Sequence, residues 1–335
     1  MTRYVLGIDG GGTKTQAVIL NDRGEICGAG AGGISNYDDV GVMTARANIG
    51  QTVNVARSAA GLPDTPFDAA FLGLGGVASA TDREIVRGIA RDLQLAPETR
   101  VGVDHDIRIA LAGGLSGRPG IVQIAGTGSS CYGRNIAGDH WRSGGWGPLI
   151  ADEGSGYWLG IQAMGAATRA FDGRSRPTIL LAAVLDRLEL SHMDDIMRHI
   201  YVQGMSRAEI AALGPLVIEA ARAGDRVALE IIRCGAQDMA DCILAVAQRL
   251  DFIGVCELAL TGGVFQAGDV VVQPLCEAVW KKLPRCRITL AELPPVLGAC
   301  LLALELVDVR LDPGKIQTLC QSAANRLLSL LPPGL

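Results

Sequence analysis

The chain has 335 residues, 49% hydrophobic and 19% charged, with 30 basic against 35 acidic side chains and a net charge of −5. That length suits two domains rather than one core, and the composition excludes a disordered or low-complexity chain. The acidic balance, with no stripe of Lys or Arg interleaved with aromatics, excludes a nucleic-acid partner, and no apolar run reaches the roughly 18 residues of a membrane-spanning helix.

Met1 is followed directly by a strand-like run from Tyr4 to Ile8, with no charged-then-apolar leader, so the expected location is the cytoplasm. Nine cysteines at positions 27, 131, 234, 242, 256, 276, 286, 300 and 320 show neither a CxxC pair nor zinc-finger spacing. They read as reduced, mostly buried thiols.

In chain order, three short strands are expected at about 4–9, 15–21 and 25–31, joined by glycine-rich and Asn-Asp-Arg-Gly turns as a hairpin meander. Helical periodicity follows at about 43–60. A strand at 69–75, a helix at 82–94, a strand at 100–104 and a helix from about 106 to 113 complete a first lobe over 1–115. Residues 120–143 repeat the opening pattern of three strands, which points to duplication. From Glu153 to about Leu250 the pattern is mostly helical; a strand at 256–261, a helix near 270–281, a strand at 286–290 and a helix at 297–307 then alternate. The second lobe is thus assigned to 116–310. A last helix at about 315–331, closed by Pro332 and Pro333, fills the segment 311–335 and is placed to pack back on the first lobe. The fold class is α/β, with two lobes and a cleft between them.

Glycine turns carry the first chemical signal. In Asp9-Gly10-Gly11-Gly12-Thr13-Lys14-Thr15, successive backbone N–H groups can point at one anion with no Cβ in the way. Asp9 would hold Mg²⁺ directly or through water, while Gly11, Gly12, Thr13, Lys14 and Thr15 are the phosphate-binding candidates. This is not a Walker A loop, because the Gly-x4-Gly-Lys-Ser/Thr spacing is absent and a strand follows. Gly126-Thr127-Gly128-Ser129 repeats the device in the second lobe, so two turns would face each other across the cleft and clamp a triphosphate. Gly262 and Gly263, after a third apolar strand, are candidates for the adenosine. Three bland or rival readings stand beside these: a plain hairpin turn at Gly10–Gly12, a helix cap at Asp106 or at Asp152-Glu153, and a dinucleotide fingerprint at Gly73-Leu74-Gly75-Gly76-Val77-Ala78 with Asp104 as ribose acceptor.

The order Asp9-Gly-Gly-Gly-Thr-Lys-Thr, Asn36 in Gly-Gly-Ile-Ser-Asn-Tyr, Asp106, Gly126-Thr-Gly-Ser, Gly144-Gly-Trp-Gly and Asp152-Glu-Gly-Ser-Gly-Tyr-Trp resembles the N-acetylglucosamine kinases of the BadF/BadG group. That group belongs to the sugar kinase, actin and heat-shock chaperone ATPase superfamily. The resemblance runs from about residue 3 to 307 and implies two ribonuclease H-like lobes, ATP and Mg²⁺ as cofactors, an amino sugar as substrate and a homodimer. It implies phosphorylation of N-acetylglucosamine to N-acetylglucosamine 6-phosphate. It makes Asp106 the general base, with Asp104 two residues earlier as its local rival. Thr13 and Thr127 become phosphate-binding threonines, and Asn36, Gly145, Trp146, Gly147 and Asp152 the sugar-binding positions. One position departs from the better-known relatives, which carry Trp two residues after the Asn where this chain has Asp38. Glucosamine, N-acetylmuramic acid and glucose therefore stay open as acceptors. Two rivals from other classes are an ATPase that activates a redox enzyme through an iron–sulfur cluster, and a sugar-sensing regulator. Neither the cysteine spacing nor the start of the chain provides what they need.

Overall fold

A computed structural model describes residues 2–252 and 255–330. The chain divides into two compact units, one of Met1–Arg118 with Ala291–Leu335 and one of Pro119–Leu290.

In the first unit, β1 (Tyr4–Gly10), β2 (Thr15–Asn21) and β3 (Ile26–Gly32) form the antiparallel meander. A short α1 (Tyr37–Val40) leads into α2 (Val42–Ala60), and β4 (Ala69–Leu74), α3 (Ala80–Asp92), β5 (Val101–His105) and α4 (Asp106–Gly114) follow. Strands β1, β4 and β5 run parallel, giving the order β3-β2-β1-β4-β5. Alternation along the strands buries both faces of this sheet. Leu6, Ile8, Ala17 and Ile19 enter one core with Ile49, Val53 and Val86 of α2 and α3. Val5, Val18 and Leu20 point the other way into a second core with Ile109 of α4.

The second unit repeats this wiring. Its strands β6 (Gly120–Ala125), β7 (Ser129–Arg134) and β8 (His140–Gly144) form a second meander. The helices α5 (Gly156–Phe171), α6 (Leu180–Arg187), α7 (Arg207–Ala211), α8 (Gly214–Arg222) and α9 (Arg226–Arg249) come next, followed by β9 (Cys256–Thr261), α10 (Asp269–Trp280) and β10 (Cys286–Leu290). The order β10-β9-β6-β7-β8, with β6, β9 and β10 parallel, is the first sheet's connectivity again. The repeated opening read from the sequence is thus matched strand for strand.

One boundary differs from the sequence expectation. Residues 291–310, assigned above to the second lobe, belong to the first unit. Their helix α11 (Pro295–Glu305) lies so close to α4 that a Cβ on Gly298 would sit 2.0 Å from the Ile109 carbonyl oxygen. The last helix, α12 (Pro313–Leu330), buries Leu319, Ala323 and Leu327 in the same core, and Arg326 donates to the Ile26 carbonyl of β3. Its expected closure at Pro332 and Pro333 lies outside the described residues. Among the described residues no helix is long and apolar enough to cross a membrane, and all nine cysteines are free.

Candidate active site

In the first unit the candidate residues meet at the carboxyl ends of β1, β4 and β5, the edge where open α/β sheets bind ligands. Register sets Asp9, Gly73 and Asp104 side by side, and Gly10, Leu74 and His105 one step further on. Asp106, Gly75 and Gly11 therefore leave the sheet together. Gly75 donates its N–H to the Gly10 carbonyl at 2.7 Å. A Cβ on Gly75 would lie 3.5 Å from both Asp106 Oδ2 and Gly11 Cα, so the Asp106 carboxylate rests against the bare backbone of two turns. The Gly11 carbonyl in turn accepts from the N–H groups of Ser35 and Asn36.

Asn36 caps α1, accepting from the Asp38 N–H and donating Nδ2 to Asp39 Oδ2 at 2.8 Å. Its Oδ1 and Asp38 Oδ2 lie over Gly76, whose φ of +91° and lack of a Cβ admit them. Asn36, Asp38, Asp106 and the Gly10–Gly12 turn thus form one surface.

The two neighbouring carboxylates of β5 and α4 are in opposite states. Asp104 is ion-paired with Arg108 at 2.6 Å and Arg83 at 3.0 Å. Burial raises its pKa, but hydrogen bonds from Arg108, the His105 amide and Arg83 outweigh that and hold it below the usual carboxylate range. It is a poor base, and its charge is already matched, which also removes it as a ribose acceptor. Asp106 has no arginine. Its side chain is 38% exposed and its Oδ1 lies 2.5 Å from His105 Nδ1. The Ile107 amide approaches the same ring nitrogen at 3.3 Å. A nitrogen this close to a carboxylate oxygen holds a proton, so we take the contact with Asp106 as the real hydrogen bond. Asp9, at the end of β1, has its pKa pushed up to about 7 by burial and the charge of Asp106, with Lys14 opposing.

Thr13 is exposed on the turn, but Thr15 is fully buried and donates its hydroxyl to the Gly33 carbonyl at 2.6 Å. Thr15 therefore leaves the phosphate-binding set. Ser129, at the same place in the second unit, likewise turns inward, accepting from Gln123 Nε2 at 3.1 Å. Both open the second strand of their meander on its core-facing side.

In the second unit the Gly126–Ser129 turn is fastened to α5. The Gly126 and Thr127 carbonyls accept from the Gly156 and Tyr157 N–H groups at 2.8 and 3.2 Å, leaving the Thr127 side chain exposed. The Thr261–Gly263 turn ends β9, the parallel neighbour of β6. Gly262, at φ +111°, passes so near Ala125 that a Cβ would sit 2.3 Å from its carbonyl oxygen. Gly263 lies open beside it. Ser155 caps α5 by accepting from the Trp158 N–H, so neither Asp152 nor Glu153 is that helix's cap.

Asp152 is only 3% exposed. It accepts the Ser129 and Gly147 N–H groups and pairs with Arg207 Nη2 at 2.7 Å. A carboxylate so committed has little left for the two sugar hydroxyls assigned to it from the sequence. Trp146 stands on a loop with Gly144, Gly145 and Gly147 all at positive φ. It is 64% exposed, with the Arg142 guanidinium 4.6 Å from its ring centre. It is a surface ring rather than a core one.

The BadF/BadG/BcrA/BcrD ATPase family description matches residues 6–303. The chain belongs to this family. It is 33% identical over 307 residues to an N-acetylmuramic acid/N-acetylglucosamine kinase of Clostridium acetobutylicum, covering 91% of this chain and all of the relative. It is 31% identical over 310 residues to an N-acetyl-D-glucosamine kinase of Dictyostelium discoideum, covering 89% and 97%. A solved structure from Chromobacterium violaceum, 30% identical, superposes with a TM-score of 0.72 over 90% of this chain and 99% of that one. A ROK family glucokinase from Streptomyces griseus, 20% identical, superposes at 0.55 over 90% and 99%, a likeness of fold alone. This BadF/BadG family member thus has the actin-like ATPase fold of sugar kinases. Its sequence reading missed Arg207, which no spacing rule links to residues 128 and 152, and the contact of His105 with Asp106.

Proposed function

We propose that the protein is an ATP-dependent sugar kinase that transfers the γ-phosphoryl group of ATP to the 6-hydroxyl of N-acetylglucosamine, with Asp106 as general base. The observation that carries this is the seating of Asp106 against Gly11 and Gly75, with Asn36 and Asp38 beside it and Asp104 disqualified by its two arginines. In the transfer, the sugar oxygen bonds to the γ-phosphorus, the bond to the β,γ-bridging oxygen breaks, ADP leaves, and the hydroxyl proton passes to Asp106. Positioning and charge neutralisation do most of the work in such a step. The Gly11–Thr13 and Gly126–Thr127 backbones and the exposed threonine hydroxyls bind phosphate, the Thr261–Gly263 turn receives the adenosine, and Asn36, Gly145, Trp146 and Gly147 contact the sugar.

Among the described residues no three acidic, His or Cys side chains group as a metal site. That fits Mg²⁺, which is bound by one or two carboxylates together with phosphate and water. Asp9 would hold it directly or through water, and the ion would neutralise charge on the phosphates.

Asp9 titrates near pH 7, so its proton must leave for the cation to bind. The expected result is a roughly tenfold gain in MgATP affinity between pH 6 and pH 8, flattened in Asp9→Asn. The same shift has a stability sign. Folding raises this pKa, so in Mg²⁺-free protein the contribution of Asp9 falls as pH rises from about 4 through 7. Titration calorimetry and melting across that range check both.

The regiochemistry is checked by phosphorus–proton correlation in the product. The phosphate is expected on C6, and the 6-deoxy sugar is expected to bind without being phosphorylated. Phosphate on any other carbon would overturn the assignment. The reading carries with it a cytoplasmic location, where free thiols and ATP coexist, and homodimeric assembly, taken from the family resemblance.

A further inference from the structure

We infer that Arg207 is a phosphate-binding cation of the Gly126–Ser129 turn, positioned there by Asp152. The inference rests on the reading of that turn as a phosphate turn.

Asp152 is held from several sides at once. It has a φ of +68°, which Asp tolerates better than most residues. Its carboxylate accepts from the Ser129 and Gly147 amides, and it takes Arg207 Nη2 at 2.7 Å. The pair lies directly on the glycine turn. A Cβ on Gly128 would be 2.7 Å from Arg207 Nη2 and 2.8 Å from Asp152 Oδ2. Gly128 has no positive φ to explain its identity, so the residue is glycine because the ion pair occupies the space of a side chain.

The backbone of Arg207 is fixed as firmly as its head. Ser206 caps α7 in a reciprocal box with Glu209, and α7 packs so tightly on α5 that a Cβ on Gly160 would be 2.0 Å from the Ile210 carbonyl oxygen. The first residues of α5 are those that hold the Gly126 and Thr127 carbonyls. Turn, helix and arginine therefore form one rigid group.

A guanidinium has five N–H donors in a planar fork suited to two phosphate oxygens. One nitrogen is engaged by the buried carboxylate, yet the arginine side chain is 48% exposed. The remaining donors face outward beside the exposed Thr127. Asp152 thus aims a cation rather than binding the substrate itself.

The test is titration calorimetry of the full chain with Mg²⁺ and AMPPNP, and separately with N-acetylglucosamine, for the wild type, R207Q, R207K, D152N and Thr127→Val. R207Q is expected to weaken AMPPNP binding by roughly tenfold, the scale of a lost charged hydrogen bond, with sugar affinity unchanged. R207K should recover part of the loss, and D152N should weaken the same ligand. If Thr127→Val weakens AMPPNP and R207Q does not, the turn binds phosphate and Arg207 has no part in it. If neither variant changes AMPPNP binding, the phosphate reading of the turn fails and the inference with it. Loss of sugar affinity in R207Q would instead make the pair part of the sugar site and overturn the inference.

Discussion

Replacing Asp106 with Asn is expected to lower kcat by roughly 10²-fold or more while the sugar dissociation constant stays within a few-fold of wild type. Loss of a general base costs about 10² to 10⁴. The rest of the rate enhancement in phosphoryl transfer comes from positioning and charge, which the variant keeps. Asn is nearly isosteric and can still contact His105 and lie against Gly11 and Gly75, so binding geometry survives and only proton acceptance is lost. Pre-steady-state turnover together with sugar titration separates the two quantities. Near-normal turnover would remove Asp106 from the chemistry. Asp104 could not readily take over, because Arg83 and Arg108 hold it ionised and engaged.

The largest expected effect on stability lies far from any glycine turn. Gly298 of α11 faces α4, where a Cβ would lie 2.0 Å from Ile109 O, 2.4 Å from Gly113 N and 2.9 Å from Gly113 Cα. These are backbone atoms and cannot rotate away as a side-chain tip would. The approach is reciprocal, since a Cβ on Gly113 would be 2.8 Å from the carbonyl oxygens of Leu293 and Pro294. Gly298→Ala must therefore push α11 off α4, at a cost of about 3 kcal/mol or more. The first unit should melt on the order of 10 °C lower. Because α4 begins at Asp106, activity should fall as well, but together with a lowered melting temperature that Asp106→Asn does not share. An unchanged melting curve would mean that the two helices can separate freely.

Much of this fold is visible in local pattern. Short apolar runs ending in glycine marked β1, β4, β6 and β9, because such strands must turn close to other backbone. The 3.6-residue period marked α2, α3 and α9. Four-residue α1 was invisible, since it has no period and is set by the Asn36 cap. The placement of α11 was misread because sequence order puts it after β10, whereas its partners β1 and α4 lie far earlier in the chain.

Within the site, Asp9, Asp106 and the exposed Thr13 and Thr127 stand where chain order suggested, at strand ends. Thr15 was legible in principle. Counting by two from the inward Ala17 and Ile19 places it on the core side, away from any phosphate. Asp152 was not legible, because its partner Arg207 is 55 residues away and belongs to a different helix.

The central claim is tested most directly by MgATP-dependent ADP release from the purified chain. The panel is N-acetylglucosamine, glucosamine, N-acetylmuramic acid, N-acetylmannosamine and glucose, with the sugar phosphate measured alongside. The account predicts ADP release that needs an amino sugar, with one sugar phosphate formed per ADP and N-acetylglucosamine the best acceptor. ATP hydrolysis at the same rate with no sugar present, and no sugar phosphate formed, would contradict it.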